Sequence, residues 1–395
     1  MEIVLRDWLD LLFRWAHIVA AIGWIGTSFY FMAIDSALRA RAGLPRGVAG
    51  ETWEVHGGGF YHTRKFLVAP EHLPADLIWY RWESYLTWLS GFCLMIIVYY
   101  WGAESYLIDR LVADLTVMEA IAISVGSLVA GWVLYDLLCK SPLRHQPVLV
   151  FVVLFISIVF LAWAFGKLFT ARAAWLHVGA IIATMMTGNV FFVIIPNSRI
   201  VVDDLRNGRE PDARFGKIAK LRSTHNNYLT LPVILMMISN HFPIAFGHPY
   251  HWVLIAAILV IGATVRIWFN LHEAGIHGPV THWQWPLVIA LTFGSIWFST
   301  WRPDLEDADA SAGEATLIIS EHCSSCHSAR PTHPDYEAAP GGATFDTLAE
   351  IQSYVPEILS QSVLSTAMPL GNETGMTERE RAILGSWLRA GAPSD

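Results

Sequence analysis

The stretch Cys323-Ser324-Ser325-Cys326-His327 sets two thiols two residues apart and places an imidazole directly after the second thiol. This is the spacing that covalent attachment of a c-type haem requires. Each thiol can add across one vinyl group of the porphyrin, and His327 can then reach the iron as an axial ligand. The alternative is a redox-active or zinc-binding Cys-x-x-Cys pair that a histidine happens to follow. The sequence downstream favours the haem.

Two features after the motif are typical of a small cytochrome. Met368 could supply the second axial ligand, because His/Met ligation is usual in cytochromes c. Thr377-Glu-Arg-Glu380 has the pattern of a capping box that opens a last helix. The apolar face of that helix is expected to carry Ile383, Leu384, Trp387 and Leu388. We therefore predict a class I cytochrome c domain with one covalent haem c at residues 313–395.

The composition of the whole chain indicates a polytopic membrane protein. Of the 395 residues, 54% are hydrophobic and only 15% are charged, whereas charged residues make up about a quarter of soluble proteins. The 18 Trp, 20 Phe and 12 Tyr are enough to form aromatic belts at both membrane interfaces. The expected surroundings are a lipid bilayer, and no nucleic acid is expected as a partner.

Eight apolar segments are long enough, or nearly so, to cross a bilayer core of about 30 Å. They lie near 8–34, 84–103, 117–138, 148–166, 174–196, 228–247, 251–270 and 285–301. These segments predict an all-α fold with an eight-helix transmembrane bundle at residues 1–302. A short polar linker at 303–312 would join the bundle to the cytochrome domain.

The distribution of lysine and arginine predicts the orientation. The first, third and fifth connections between segments hold most of these residues, and the fourth, with Lys167 and Arg172, is a weak exception. The odd connections are therefore expected in the cytoplasm, with the N-terminus and the cytochrome domain in the periplasm of a bacterial inner membrane. From Pro303 onward, 15 acidic residues outnumber 4 arginines, which suits a basic redox partner.

The bundle has the pattern of a four-helix unit used twice. Trp15-Ala16-His17 in the first segment matches Trp175-Leu176-His177 in the fifth, and Tyr85-Leu86-Thr87 matches Tyr228-Leu229-Thr230. A four-helix unit preserves orientation, so the two copies would be parallel 4+4 repeats about an axis along the membrane normal. The alternative is chance resemblance between apolar helices.

Histidines within apolar segments are costly and therefore point to function. His17 and His177, at equivalent places in the two units, could ligate a haem b iron or a metal from both sides. His241, at the outer end of the sixth segment, is a third candidate ligand. The alternative is that each imidazole only hydrogen-bonds a backbone carbonyl within the bundle.

A second polar cluster is expected near the cytoplasmic face. The Gly-rich and His-rich segment 56–65 contains His62, Arg64 and Lys65, and the helix starts nearby carry Glu83 and His225-Asn226-Asn227. Imidazoles, amides, a carboxylate and cations could together hold a flat, anionic heterocycle. The alternative is interfacial polarity and the usual excess of cytoplasmic positive charge.

Five strings carry a resemblance to a known family over essentially the whole chain. They are Trp15-Ala16-His17 with Gly23-Trp24-Ile25-Gly26, His56–His62, Trp82–Gly91, His225–Tyr228 and Cys323–His327. The chain resembles the membrane-bound urate oxidases, which join an eight-helix membrane domain to a C-terminal cytochrome c. The resemblance implies oxidation of urate to 5-hydroxyisourate, with electrons passed to a cytochrome and not to dioxygen. Its first segment also resembles a membrane protoporphyrinogen oxidase, which supports a haem-binding or redox role for His17.

On this reading, Glu83 or His225 is the candidate base that removes a proton from urate. The anion and its carbonyl groups would be held by His62, Arg64, Lys65, Asn226 and Asn227. Cys323, Cys326, His327 and Met368 would hold the haem c, which serves a soluble cytochrome c or a terminal oxidase. An inner urate site would need a relay such as His17 and His177, whereas an outer site would need none.

Two functions of other classes stay open on the sequence alone. Parallel repeats and intramembrane polar residues also suit a transporter of an anionic metabolite that carries a cytochrome. A membrane anchor that only transfers electrons is the third reading. Urate-dependent reduction of the haem separates the three, because a transporter moves urate unchanged and an anchor ignores it.

Overall fold

The computed structural model describes residues 2–66, 73–301 and 309–394, and the chain is mostly helical. Of the predicted linker at 303–312, residues 303–308 lie outside the described residues. Each of the eight predicted segments overlaps a long helix. These are α1 (Glu2–Ala37), α2 (Trp82–Leu94), α3 (Val117–Lys140), α4 (Pro147–Phe165), α5 (Ala171–Arg206), α6 (Ala213–Ile238), α7 (His251–Glu273) and α8 (Gln284–Thr300).

Five of these helices are long and apolar enough to cross a membrane, namely α1, α3, α4, α5 and α7. The other three differ for identifiable reasons. Helix α2 is regular only to Leu94 and continues as a π-helical turn over Met95–Tyr100. Helix α6 carries four cations in its first ten residues, and α8 has 17 residues. The five helices are compatible with a membrane protein, and the crossing of all eight stays a prediction.

Helix α5 lies at the centre of the bundle. It packs against α3, α4 and α6, and two thirds of its most apolar window is buried. Glycines let the backbones of α3 and α5 approach closely. A Cβ at Gly131 would lie 2.6 Å from Ile181, and one at Gly188 would lie 2.5 Å from Trp132. Close contact at small residues is the usual way in which helices associate in membranes.

The first connection contains a β-hairpin, which the all-α prediction missed. Strand β1 (Val48–His56) pairs antiparallel with β2 (Gly59–Phe66). Gly57 and Gly58 form the two-residue turn, and both have positive φ, at 58° and 77°. Two consecutive positive φ values define the type I′ turn that matches strand twist, and glycine adopts them without strain. The Gly-rich segment is therefore the tip of a hairpin.

The C-terminal part forms a second helical unit with its own apolar core. Its helices are α9 (Ala312–His322), α10 (Leu348–Ser353), α11 (Val355–Ile358) and α12 (Glu378–Arg389). The capping box predicted at Thr377 and Glu380 is confirmed, with hydrogen bonds in both directions. The predicted apolar face of α12 is also confirmed, since its four residues are buried. Helices α9 and α12 pack against each other.

The C-terminal unit contacts one end of the bundle. The Ser105 hydroxyl, in the one-turn helix Ala103–Tyr106, donates a 2.5 Å hydrogen bond to Glu373. Gly371, with φ at 60°, approaches the Ser105 carbonyl so closely that a Cβ would lie 2.6 Å from that oxygen. Gly247, after the one-turn helix Pro243–Phe246, packs against Ser365. This docking positions the site described next.

Candidate functional site

A cavity of about 1950 Å³ extends from the C-terminal unit into the bundle. Residues of the Cys-x-x-Cys-His motif line one end. The other end is lined by residues of α1, α2, α5 and the C-terminal end of α6, and Trp24, Thr87 and Thr187 lie farthest along those helices from the motif. Pockets for a single drug-sized ligand are usually about 300–1,000 Å³. The cavity therefore has room for more than one such group.

The motif at the C-terminal end of the cavity fits a covalent haem. Cys323 follows the last residue of α9, and Cys326 and His327 close a tight turn in which the His327 amide donates to the Cys323 carbonyl over 2.8 Å. Burial raises the pKa of the Cys323 thiol to about 12. His327 donates its Nδ1–H to the Ala343 carbonyl over 3.0 Å, which leaves the Nε2 lone pair for an iron.

Met368 lies on the same cavity and its backbone is held on both sides. Its amide donates to the Gln361 carbonyl over 2.9 Å. Its carbonyl accepts a 2.8 Å hydrogen bond from Arg381, a guanidinium that is 1% exposed and also bonds the Ser362 carbonyl. Cys323, Cys326, His327 and Met368 thus line one space, as an axial pair with two thioether positions requires.

His17 lies on the wall of the bundle half of the cavity. Its Nδ1–H donates to the Thr87 carbonyl over 2.9 Å, which leaves Nε2 with its lone pair. Gly91 makes room for the ring, because a Cβ there would lie 2.9 Å from Cε1 of His17. His241 lines the same cavity. The repeat pattern in the sequence predicted His177 as the partner of His17, and the structure instead gives His17 and His241 a common space.

His177 is fully buried between aromatic rings, and both of its nitrogens are engaged. Nδ1–H donates to the Ala173 carbonyl over 2.7 Å, and Nε2 accepts from the Ser124 hydroxyl over 2.6 Å. Phe169 lies 4.8 Å away, centroid to centroid. Neither nitrogen of His177 is left for an iron. This geometry corresponds to the alternative reading, in which the imidazole is a satisfied core residue.

His225, a predicted base, and Asn226 and Asn227, predicted to bind urate, follow one another on α6 and bond different partners. His225 is hydrogen-bonded through Nδ1 to the Tyr135 hydroxyl over 2.8 Å. Asn226 accepts from Asn189 over 2.8 Å, whereas Asn227 donates to Asn270 of α7 over 3.3 Å. Successive residues of a helix lie about 100° apart around its axis. The structure therefore does not bring these side chains together in one pocket.

His225 and Asn226 belong to a buried polar network that the sequence analysis did not identify. Arg222, 2% exposed, forms a 2.6 Å ion pair with Asp136 of α3 and donates to Asn189 over 3.1 Å. The sequence does contain an indication of this network, because Asp136 and Asn189 both interrupt apolar segments. Charged groups within apolar spans are usually paired, as this one is.

Glu83, the other predicted base, has a buried carboxylate oxygen, Oε2, with no hydrogen-bond partner among the described residues. Its side chain lies beside Gly23 of α1, and its carbonyl accepts from the Thr87 hydroxyl over 2.6 Å. Thr87 and Trp24 line the cavity. Glu83 is therefore one helical turn from the cavity wall.

The three predicted cationic ligands of urate are engaged by carboxylates of the chain. His62 and Arg64 bond Glu51 across the hairpin, at 2.8 and 3.2 Å. The hydrogen bond from His62 holds the pKa of Glu51 below its ordinary value. Lys65 lies 2.5 Å from Asp35 of α1. In this arrangement these groups hold the hairpin together and do not converge on a cavity.

These features define a mostly helical protein, compatible with a membrane, in which a large cavity joins bundle histidines to a Cys-x-x-Cys-His motif. A family model described as the urate oxidase N-terminal region matches residues 3–299. The chain therefore belongs to the urate oxidase N-terminal family, and this membership indicates an oxidoreductase that acts on urate. No curated protein and no solved structure matches the chain.

Proposed function

We propose that this protein oxidises urate to 5-hydroxyisourate at a membrane and passes the electrons to a respiratory acceptor without using dioxygen directly. Family membership supports urate as the substrate. The observation that carries the electron route is the continuous cavity between the bundle and the Cys323–His327 motif. Urate and water give 5-hydroxyisourate, two electrons and two protons, so the site must hold urate, accept protons and lead electrons away.

On this proposal, urate binds in the bundle half of the cavity. This is the outer of the two urate sites that the sequence left open. Trp88 and Phe92 line that half and are stacked on each other at 5.3 Å, and a flat purine could extend such a stack. Thr184 and Asn240 supply polar groups on the same walls. Lys65, Arg64 and His62 are engaged elsewhere, whereas Arg6, Arg14 and Arg172 line the cavity and could pair with an anionic substrate.

Glu83 is the stronger of the two predicted bases. Its Oε2 has no hydrogen-bond partner among the described residues, and Thr87, one helical turn further along α2, lines the cavity. Nε2 of His225 also lacks a hydrogen-bond partner among the described residues, but α6 lines the cavity only near its C-terminal end, at Met237 and Ile238, far along the helix from His225. A carboxylate that lacks other partners can accept the substrate proton directly or through one water.

Four residues would hold a haem c at the other end of the cavity. Cys323 and Cys326 would form the thioethers, and His327 and Met368 would be the axial ligands. When bound, this haem supplies a one-electron acceptor that a soluble cytochrome c or a terminal oxidase can reoxidise. The hydrogen bond from His327 to Ala343 and those that fix the Met368 backbone hold both ligands in place.

The volume of the cavity also supports a second group in the bundle. His17 and His241 are the residues that would hold a non-covalent haem b, because both line the cavity and His17 keeps Nε2 unprotonated. A pyridine haemochrome assay on the purified protein tests this point. A ratio of one c-type haem and no b-type haem per chain would contradict it.

The decisive experiment adds urate anaerobically to the purified full-length protein. We expect urate to disappear while the spectrum of a reduced c-type haem develops. The Cys323→Ala/Cys326→Ala variant should lose that spectrum but still consume urate with an artificial acceptor. Unchanged urate in a preparation whose haem dithionite can reduce would overturn the proposal. Transport of intact urate into vesicles would favour the transporter instead.

A further inference from the structure

A histidine and two glutamates meet where α9 ends against the start of α12. They are His322, the last residue of α9, its neighbour Glu321, and Glu380 in the first turn of α12. One ligand atom from each lies within 4.8 Å of the other two. His322 is 5% exposed, whereas Glu321 is exposed to solvent. The cluster is therefore open on one side and buried on the other.

The histidine directs an unpartnered nitrogen into this cluster. Nε2 of His322 has no hydrogen-bond partner among the described residues and lies 3.4 Å from Oε1 of Glu380. A buried nitrogen facing a carboxylate oxygen without a hydrogen bond is unfavourable unless a positive charge lies between them. A proton or a metal ion could supply that charge.

The remaining polar atoms of both residues are fixed by other bonds. Nδ1 of His322 is hydrogen-bonded to the Thr374 hydroxyl over 2.8 Å. Oε2 of Glu380 accepts from the amide and the hydroxyl of Thr377, both over 2.7 Å, as part of the capping box. Only Nε2 and Oε1 face the cluster. Metal-binding histidines and carboxylates are typically oriented by outer hydrogen bonds of this kind.

The separation between the two atoms also matches metal ligation. Two ligands about 2.1 Å from a shared ion at a tetrahedral angle lie roughly 3.4 Å apart. The distance between Nε2 of His322 and Oε1 of Glu380 is 3.4 Å. The exposed Glu321 can complete a third position, and water can fill the fourth.

We propose that Glu321, His322 and Glu380 bind a divalent ion of the zinc class. One imidazole and two carboxylates form a ligand set that Zn²⁺ accepts. The ion would bridge α9 and α12, which pack together in the C-terminal unit. It would therefore stabilise that unit independently of whether urate is the substrate.

The test is a titration of the chelator-treated, haem-loaded full chain, free of any histidine tag, with ZnCl₂ by calorimetry. Co²⁺ provides a second readout through the visible bands of a low-symmetry site. We expect one Zn²⁺ per chain and a higher unfolding temperature of the C-terminal unit. His322→Gln should weaken binding by more than about tenfold, and Thr374→Val, which removes only an outer hydrogen bond, by about 10–100-fold.

Two further variants test whether a loss of Zn²⁺ binding results from unfolding. Glu321→Gln alters an exposed side chain, and Glu380→Gln keeps a residue that can still form the capping box. Both should weaken Zn²⁺ binding while the helices stay intact by circular dichroism. The matched control is His333→Gln, which breaks another histidine–glutamate pair, His333–Glu373 at 3.1 Å. Among the described residues, no third potential metal ligand lies near that pair.

The outcomes separate the two readings of the cluster. If the cluster is a metal site, each chain binds one Zn²⁺, and this binding depends on His322 and Glu380 but not on His333. If the wild type binds no Zn²⁺, or if His322→Gln and His333→Gln bind it equally, the cluster does not hold a metal ion and the proposal is wrong. Neither result bears on urate oxidation, so the two proposals can fail separately.

Discussion

Single glycines determine where the cavity-lining side chains lie. The ring of His17 occupies space that Gly91 leaves open, and a Cβ at that position would come within 2.9 Å of Cε1. Contacts below 3.0 Å force a side chain or a backbone to move. The position of His17, and with it the shape of the bundle half of the cavity, therefore depends on a residue that has no side chain.

Gly91→Ala should displace His17 and lower urate turnover. A misplacement of about 1 Å in a site can cost roughly a hundredfold in rate, so we expect a loss of about ten- to a hundredfold. The measurement is urate consumption per haem c. The control is Gly126→Ala on α3, where an added Cβ meets nothing within 4 Å. Equal activity of both variants would show that His17 has no role in turnover.

Asp136→Asn should destabilise the bundle, because it leaves the Arg222 charge buried and without its ion-pair partner. Removing one partner of a buried ion pair typically costs about 3–5 kcal/mol. Unfolding in mixed detergent, followed by circular dichroism, measures the change in free energy. Asp204→Asn breaks the exposed pair with Arg209 and should cost less than about 1 kcal/mol. A similar cost for both variants would contradict the importance of the buried pair.

At the scale of elements, the hairpin is joined by ion pairs to the C-terminal end of α1, which is in turn joined to the N-terminal part of α6. Asp35 near the end of α1 lies 2.5 Å from Lys65 of β2 and 2.7 Å from Lys220 of α6. The backbone of Arg39 also pairs with Glu51 of β1. One carboxylate thus joins three elements, and Lys65 has a structural partner before any substrate is present.

Lys65→Met and Asp35→Asn should have effects in the same direction. Both break the Lys65–Asp35 ion pair, so both should loosen the hairpin and leave the KM for urate unchanged, and Asp35→Asn should loosen it more because it also breaks the pair with Lys220. Faster proteolysis within the first connection would measure the loosening, and steady-state kinetics would measure KM. If Lys65→Met alone raises KM, Lys65 binds urate after all, as its sequence context first indicated.

At the scale of the whole molecule, docking of the C-terminal unit forms the cavity that this unit shares with the bundle. The contact at Gly371 and Ser105 leaves no space for a side chain. The Ser105–Glu373 hydrogen bond lies beside it. The electron route that we propose depends on this docking, because the motif and the bundle histidines share the cavity only while the two parts are in contact.

Gly371→Ala should separate the C-terminal unit from the bundle. An added Cβ would lie 2.6 Å from the Ser105 carbonyl oxygen, so we expect haem c reduction by urate to slow by about tenfold or more. Reduction by dithionite should be unaffected. Gly391→Ala is the control, since Gly391 has a positive φ of 90° but open space around it. Equal reduction rates in the two variants would contradict the docking argument.

The local features were predicted from the sequence because their causes are local. Long apolar runs located the eight long helices, and the Thr377–Glu380 spacing located the capping box. The divergence of His225, Asn226 and Asn227 could also have been predicted, since helix geometry alone separates consecutive side chains by about 100°. The sequence analysis missed the hairpin because it treated segment 56–65 as a polar Gly-rich loop, whereas Gly57 and Gly58 form a type I′ turn.

By itself, the sequence determined the helices, their apolar faces and the family to which the chain belongs, because each of these depends on residues close together in the chain or on their order. Only the tertiary structure decided which histidine faces the cavity. His17 and His177 have the same local pattern, yet Gly91 opens space beside one and Ser124 and Ala173 hydrogen-bond the other. A side chain's free lone pair depends on neighbours from distant segments, and those are brought together only by packing.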